Sequence, residues 1–312
     1  MLFSPVPMHL PDGFLSLGIS ILCWIVTAIL VGIAISRTQR SLGERQVPLM
    51  GIMAAFIFAA QMINFPVAGG TSGHLLGGTL AAIMLGPWAG MLVMTAVIAV
   101  QGLLFQDGGL LVMGANILNM GLLTVIVGYG LYRALLGRDR RLQLVTIGVA
   151  AWLSVITGAL LTSLELWLSG TSRLELVVPA MLGVHAIIGL GEALITVAAV
   201  AFILRTRPDL LSAGSASASG SRFWIPAGIL VALFVVVLSP MASIHPDGLN
   251  RVAMDLGFIH TTQSGSGPFS GYTFPLIAST SLSKIAAGGL GVLVVLVAGL
   301  LIGRMLSRKE VS

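Results

Sequence analysis

The chain has 312 residues, 56% of them hydrophobic and only 9% charged, with a mean hydropathy of +1.03. A soluble domain carries about 25% charged residues, so these values exclude a soluble globular protein and indicate an all-α integral membrane protein, its apolar runs being long enough for helices rather than barrel strands. The net charge of +5 comes from basic residues beside the apolar runs, with no groove-sized cluster, which excludes nucleic acid and leaves membrane lipid as the partner; the single cysteine, Cys23, excludes an intrachain disulfide.

The chain opens with "MLFSPVP", followed by "MHLPDG" at 8–13. The first 15 residues contain no Lys or Arg, so no basic n-region of a cleavable signal peptide is expected. The lead-in has no sequence logic of its own, and a misassigned start, with the mature chain beginning at Met8, is a simple explanation for it. In such a chain the Met8 amine, the His9 amide nitrogen and the His9 ring can wrap one metal ion in two fused chelate rings. An amide nitrogen binds only when deprotonated, which requires a strongly polarising late first-row metal. One further imidazole completes a planar four-nitrogen site of the kind that suits Ni(II) or Cu(II), with Co(II) also possible. His74 is the expected fourth ligand, and Pro11, Asp12 and Gly13 would fold the terminus back into the bundle. Taken alone, the Pro-Asp-Gly triplet is also ordinary turn chemistry.

A membrane-crossing helix needs about 20 apolar residues. Spans are expected at 15–36, 48–65, 74–86, 87–105, 113–132, 143–164, 179–204, 224–242 and 284–303. Positive loops stay cytoplasmic. Arg37, Arg40 and Arg45 follow the first span, and Arg133, Arg138, Arg140 and Arg141 follow the fifth. An even number of crossings must separate these two loops, so 74–105 counts as two. All Lys and Arg except Arg173, Arg251 and Lys284 then lie inside. The protein is expected to be multi-pass in the cell (plasma) inner membrane, with its amino terminus outside and its carboxyl terminus cytoplasmic.

Polar groups within these spans are costly and mark function. In "QMINFPVAGGTSGHLLGG" at 61–78, Gln61 and Asn64 would share a helix face, Pro66 would end that helix, and His74 would open the next after irregular backbone. Such backbone is tolerated only where it is buried in protein or lines a cavity. In "QGLLFQDGG" at 101–109, Gln101, Gln106 and Asp107 serve either as supporting groups or as a plain turn. His185 and Glu192, seven apart, form a possible intramembrane polar pair on one helical face. A small-residue linker, "SAGSASASGS" at 212–221, separates a seven-span unit, 1–208, from a two-span unit, 222–312. The outer loop of that second unit, 243–283, holds "HPDGLN" at 245–250, an echo of the first triplet.

Four stretches together resemble the CbiM/NikM family, the substrate-binding component of energy-coupling-factor transporters for cobalt and nickel. They are "MHLPDGFLS" at 8–16, "FIFAAQMINFPVAGGTSGHLLGG" at 56–78, "LLFQDGGLLVMGANILNMG" at 103–121 and "HAIIGLGEALIT" at 185–196. The family begins at the Met of its Met-His start, so the seven residues before Met8 depart from the pattern. The resemblance implies a seven-span bundle with the Met8 amine, the His9 amide and ring, and the His74 ring as ligands; Gln61, Asn64, Asp12, Gln101 and Asp107 are given supporting roles. The two-span unit is similar to the small PDGLE-type companion of nickel systems, with Asn250 in place of the usual Glu, and the fusion tilts the expectation towards nickel. The implied function is capture of Ni(II) or Co(II), as transported substrate, for ATP-driven uptake, with no organic cofactor. The chain has no G-x-x-x-x-G-K-[ST] sequence, so a transmembrane coupling protein and cytoplasmic ATPase subunits are the implied partners.

Three other functions remain at this point. An ATP-independent secondary transporter or channel for a divalent cation would use His185 and Glu192. A copper carrier would use methionines such as Met50, Met53, Met62, Met84, Met91 and Met94, but these are spaced like packing residues. An intramembrane enzyme would show an H-E-x-x-H helix or a G-x-S-x-G elbow, and the sequence contains neither.

Overall fold

The computed structural model describes residues 8–134, 139–207, 223–263 and 267–307. The lead-in 1–7 and the linker 209–221 lie outside the described residues. Eleven described helices and one short β-hairpin follow in order: α1 Leu17–Ser41, α2 Val47–Gln61, β1 Phe65–Val67, β2 Thr71–Gly73, α3 Gly78–Leu85, α4 Pro87–Val100, α5 Met113–Asn116, α6 Thr124–Ala134, α7 Arg140–Leu168, α8 Leu174–Thr206, α9 Trp224–Leu238, α10 Gly248–Asp255 and α11 Thr280–Leu306. Helix α4 runs on through a π-helical stretch, Gln101–Phe105, and α5 joins α6 through another, Ile117–Leu123.

Among the described residues, seven helices are long and apolar enough to cross a membrane: Leu17–Ser41, Pro87–Phe105, Met113–Ala134, Arg140–Leu168, Leu174–Thr206, Trp224–Met241 and Thr280–Leu306. The expected spans at 48–65 and 74–86 need correction. Helix α2 has 15 residues and α3 only 8, or about 22 and 12 Å of rise. The reason is local. Pro66 has no N–H to donate and forces the preceding residue out of the helical region, so α2 stops at Gln61. Residues 65–73 then pair as an antiparallel hairpin, Phe65 opposite Gly73 and Val67 opposite Thr71. Asn64 therefore lies beyond α2 rather than on a shared face with Gln61, and His74 sits on irregular backbone four residues before α3.

Caps set several other boundaries. The Ser16 hydroxyl accepts the Ile19 N–H at the start of α1, Asp139 accepts the Arg141 N–H before α7, and Asp247 accepts the Asn250 N–H before α10. Pro87 occupies the first position of α4, where its missing N–H costs nothing. Residues 87–100 have no charge, and the helix they form is mostly buried. Leu17, Ile21, Leu22, Ile25 and Ile29 of α1 stand exposed, a face suited to acyl chains rather than to a protein core.

Two cores organise the molecule. The larger runs through α2, α3, α4 and α11. Helices α2 and α11 meet backbone to backbone at Gly51 and Gly299, where a Cβ on Gly299 would lie 2.9 Å from the Gly51 Cα. The smaller core joins the amino-terminal segment to α10 through Leu10, Phe14, Leu249, Val252 and Phe258. There Phe14 and Phe258 meet edge to face, with ring centroids 5.1 Å apart.

Candidate metal site

The amino-terminal segment is threaded into the bundle by its own side chains. Asp12 accepts three successive backbone N–H groups, those of Leu110, Leu111 and Val112, at 3.0, 2.9 and 3.2 Å. Gly109 lies so close to Asp12 that any side chain there would collide with it. Leu10 pairs in both directions with Asn116, its N–H to the amide oxygen and its carbonyl from the amide nitrogen, each at 3.0 Å. These bonds fix the two residues before Leu10.

Met8 N donates to Asp107 Oδ1 at 2.7 Å, and Tyr272 O–H donates to Asp107 Oδ2 at 2.7 Å. His9 is buried, and its Nδ1 lies 2.9 Å from the Asp107 carbonyl. A carbonyl only accepts, so the proton sits on Nδ1 and Nε2 keeps its lone pair. That Nε2 is buried and has no hydrogen-bond partner among the described residues. The residue before Asp107, Gln106, holds a left-handed backbone at φ 56°, and its side-chain oxygen accepts from Gly267 N and Ser270 Oγ. Gln101 is buried beneath this loop and its carbonyl accepts the Asp107 N–H at 3.1 Å. The loop is therefore closed by both halves of the chain.

His74 arrives from the opposite side. Its Nδ1 lies 3.0 Å from the Leu75 carbonyl, again leaving Nε2 with a lone pair. Its ring centroid is 5.5 Å from that of His9. The irregular backbone between β2 and α3 that carries it is held by two buried side chains. Glu192 accepts the N–H groups of Leu76 and Gly77 at 2.6 and 2.9 Å, and Gln61 Nε2 donates to the Leu76 carbonyl at 2.8 Å. The second unit holds the hairpin in front of it. Ser72 N donates to the Pro246 carbonyl and Ser72 Oγ to the His245 carbonyl, both at 2.8 Å, while the Asn64 carbonyl accepts from Ser243 N at 2.8 Å.

Met8, His9, His74, His185 and Asp247 line one cavity of about 80 Å³. Burial, reinforced by the neighbouring His9, lowers the His74 pKa to about 4, so its ring stays neutral at physiological pH. Burial pushes the Asp247 carboxyl up to about 7. Burial and the Asp107 carboxylate keep the Tyr272 phenol protonated, a donor rather than an anion. Among the described residues, no three His, Cys, Asp or Glu side chains stand close enough to hold a metal by themselves.

The structure brings together Met8, His9 and His74, and places Asp12, Asp107, Gln61 and Gln101 around them. It does not pair His185 with Glu192. His185 Nδ1 lies 2.8 Å from the Met181 carbonyl and its ring faces the cavity, whereas Glu192 serves the backbone at 76–77. Tyr272 gave no signal in the sequence, since nothing in "PFSGYTF" at 268–274 sets it apart from its aromatic neighbours. Asp247 was visible only as part of the echoed triplet. Glu165, which accepts from Cys23 Sγ and Asn119 Nδ2 next to the cavity, falls one residue beyond the expected span at 143–164.

Known proteins resemble this chain along most of its length. The CbiM family, described as the cobalt uptake substrate-specific transmembrane region, matches residues 9–210, and the PDGLE domain matches residues 221–308. A protein of Archaeoglobus fulgidus named as a fused nickel transport protein, NikMN, is 35% identical over 299 residues, 95% of this chain and 98% of its own length. The cobalt transport protein CbiM of Sorangium cellulosum is 33% identical over 65% of this chain and 94% of its own. The crystal structure of a truncated transition metal transporter, 34% identical, superposes with a TM-score of 0.58 over 64% of this chain and 99% of that one.

Proposed function

The chain belongs to the CbiM family of cobalt uptake substrate-specific transmembrane regions, and on that premise we propose that it captures Ni(II) or Co(II) outside the cell as the substrate-specific component of an energy-coupling-factor importer, with nickel slightly preferred. The observation that carries this is the convergence of Met8, His9 and His74 on one buried cavity. Two of the four proposed donors are backbone nitrogens, which explains why side chains alone do not form a site.

The chemistry follows from the donor set. In a chain that begins at Met8, the terminal amine and the His9 amide each lose a proton on binding the ion. Chelation through the His9 amide closes a six-membered ring only through Nδ1. The ion must therefore take His9 Nδ1 from the Asp107 carbonyl, while the terminal amine, which keeps N–H groups when it binds, still donates to the Asp107 carboxylate. His74 supplies the fourth nitrogen, already neutral and desolvated. A planar four-nitrogen set suits a late first-row divalent ion. The fused arrangement shared with a relative named for nickel transport supports the preference for nickel.

The second unit seats this assembly. Tyr272 holds Asp107, the Asp12 carbonyl accepts the Gln263 N–H, and the segment 243–247 holds the hairpin. Power comes from separate ATPase subunits and a coupling protein, since the chain has no nucleotide-binding loop. Uptake of radiolabelled nickel by cells making this chain should require those partners, and deletion of 222–312 should abolish uptake while metal binding persists. Full uptake without ATPase partners, or after that deletion, contradicts the proposal.

A further inference from the structure

The cavity holds two more donors that the four-nitrogen set leaves unused, one from each half of the chain. His185 lies on α8. Its Nδ1–H donates to the Met181 carbonyl one turn back at 2.8 Å, so its Nε2 carries a lone pair. Asp247 caps α10, is 6% exposed, and gives one oxygen to the Asn250 N–H at 2.8 Å. The two elements are in contact: a Cβ on Gly248 would lie 3.0 Å from His185 Cε1. Both side chains line the cavity of about 80 Å³ that Met8, His9 and His74 also line. Liquid water takes about 30 Å³ per molecule, so the cavity has room for an ion together with part of its hydration shell.

We propose that His185 and Asp247 form a second cation-ligating element of this cavity, which binds the captured ion through a water at the positions a planar four-nitrogen set leaves open, and which sets the choice between Co(II) and Ni(II). This rests on the proposed capture by Met8, His9 and His74. Low-spin Ni(II) in a planar field gains little from a further ligand. Co(II) takes a fifth or sixth donor readily, so an imidazole and a carboxylate poised beside the plane favour it. A water-bridged contact accords with the absence, among the described residues, of three side chains close enough to ligate one ion directly. It also gives the companion half a share in recognition, since Asp247 belongs to its Pro-Asp-Gly triplet.

The test is competition between Co(II) and Ni(II) for the chain beginning at Met8, purified in detergent, with His185→Gln and Asp247→Asn beside the otherwise unmodified protein. Asn caps a helix as well as Asp does, so the second variant keeps α10 while it removes the negative charge and one acceptor oxygen. A ratio of affinities is insensitive to a partly misfolded preparation. The Co(II)-to-Ni(II) affinity ratio should fall about tenfold in each variant, with one equivalent of Ni(II) still bound and the ligand-field spectrum of the Co(II) adduct altered. A ratio equal to that of the unmodified chain in both variants overturns the proposal and leaves the capture site standing. Failure of the unmodified chain to bind either ion, or metal binding untouched by His74→Ala, overturns the capture site and this element with it.

Discussion

Asp107 illustrates how much one side chain can organise. Its two carboxylate oxygens take the Met8 N–H and the Tyr272 O–H, and its carbonyl takes the His9 ring. Asp107→Asn keeps the shape but turns one acceptor oxygen into a donor, so the side chain can no longer serve both partners. Nickel affinity should fall about 10- to 100-fold, the usual effect of losing a group that orients a metal ligand. Competition against a chromophoric chelator measures this, and an unchanged affinity would show that Asp107 does not position the terminus. At this scale the sequence was only partly legible. Chelate chemistry singled out the Met-His start and His74, and the fold brings them to one cavity. The turn triplet singled out Asp12, although not its three backbone acceptances from 110–112. Tyr272 is 165 positions from Asp107, and no local pattern marks so distant a contact.

Among the elements, the short ones carry the site and the long ones form the frame. The frame was legible because apolar runs of about 20 residues have one outcome in a bilayer. The stretch 62–77 was not. Its Pro and Gly content announced a break, but whether that break would be coil or hairpin depended on the backbone of 243–247, which pairs with it from the other half. Glu192 shows the same limit. Spacing put it on one face with His185, whereas its actual partners are the N–H groups of Leu76 and Gly77 on another element. Contact between α2 and α11 is more directly testable. A Gly299→Leu side chain would strike the Gly51 backbone, whereas Gly289 on the same helix faces open space. Overpacking of this kind costs about 1–3 kcal/mol. Thermal unfolding in detergent should show a lower midpoint for Gly299→Leu and no change for Gly289→Leu. Equal midpoints would mean that the two halves do not rest on this contact.

For the molecule as a whole, the second unit is built into the first not only through α11 on α2 and α10 on α8 but also at the amino-terminal segment, the loop at 104–107 and the hairpin at 65–73. At the loop, the Leu104 carbonyl accepts the Phe269 N–H at 2.9 Å and the Tyr272 ring stacks on Phe105 with centroids 4.9 Å apart. The amino-terminal segment and the end of the hairpin line the cavity, and the loop holds Met8 and His9 through Asp107. Membrane class, helical architecture and family could be inferred from composition and motif order, while this joint construction of the site emerges only from the fold. The most direct test of capture by Met8, His9 and His74 is a Ni(II) titration of the purified chain beginning at Met8, followed by the visible absorption of planar four-nitrogen nickel. The expected result is one equivalent bound with that spectrum, lost in His74→Ala and lost again when residues 1–7 are retained. Absence of binding to the chain that begins at Met8, or the same spectrum from the His74→Ala protein, would contradict it.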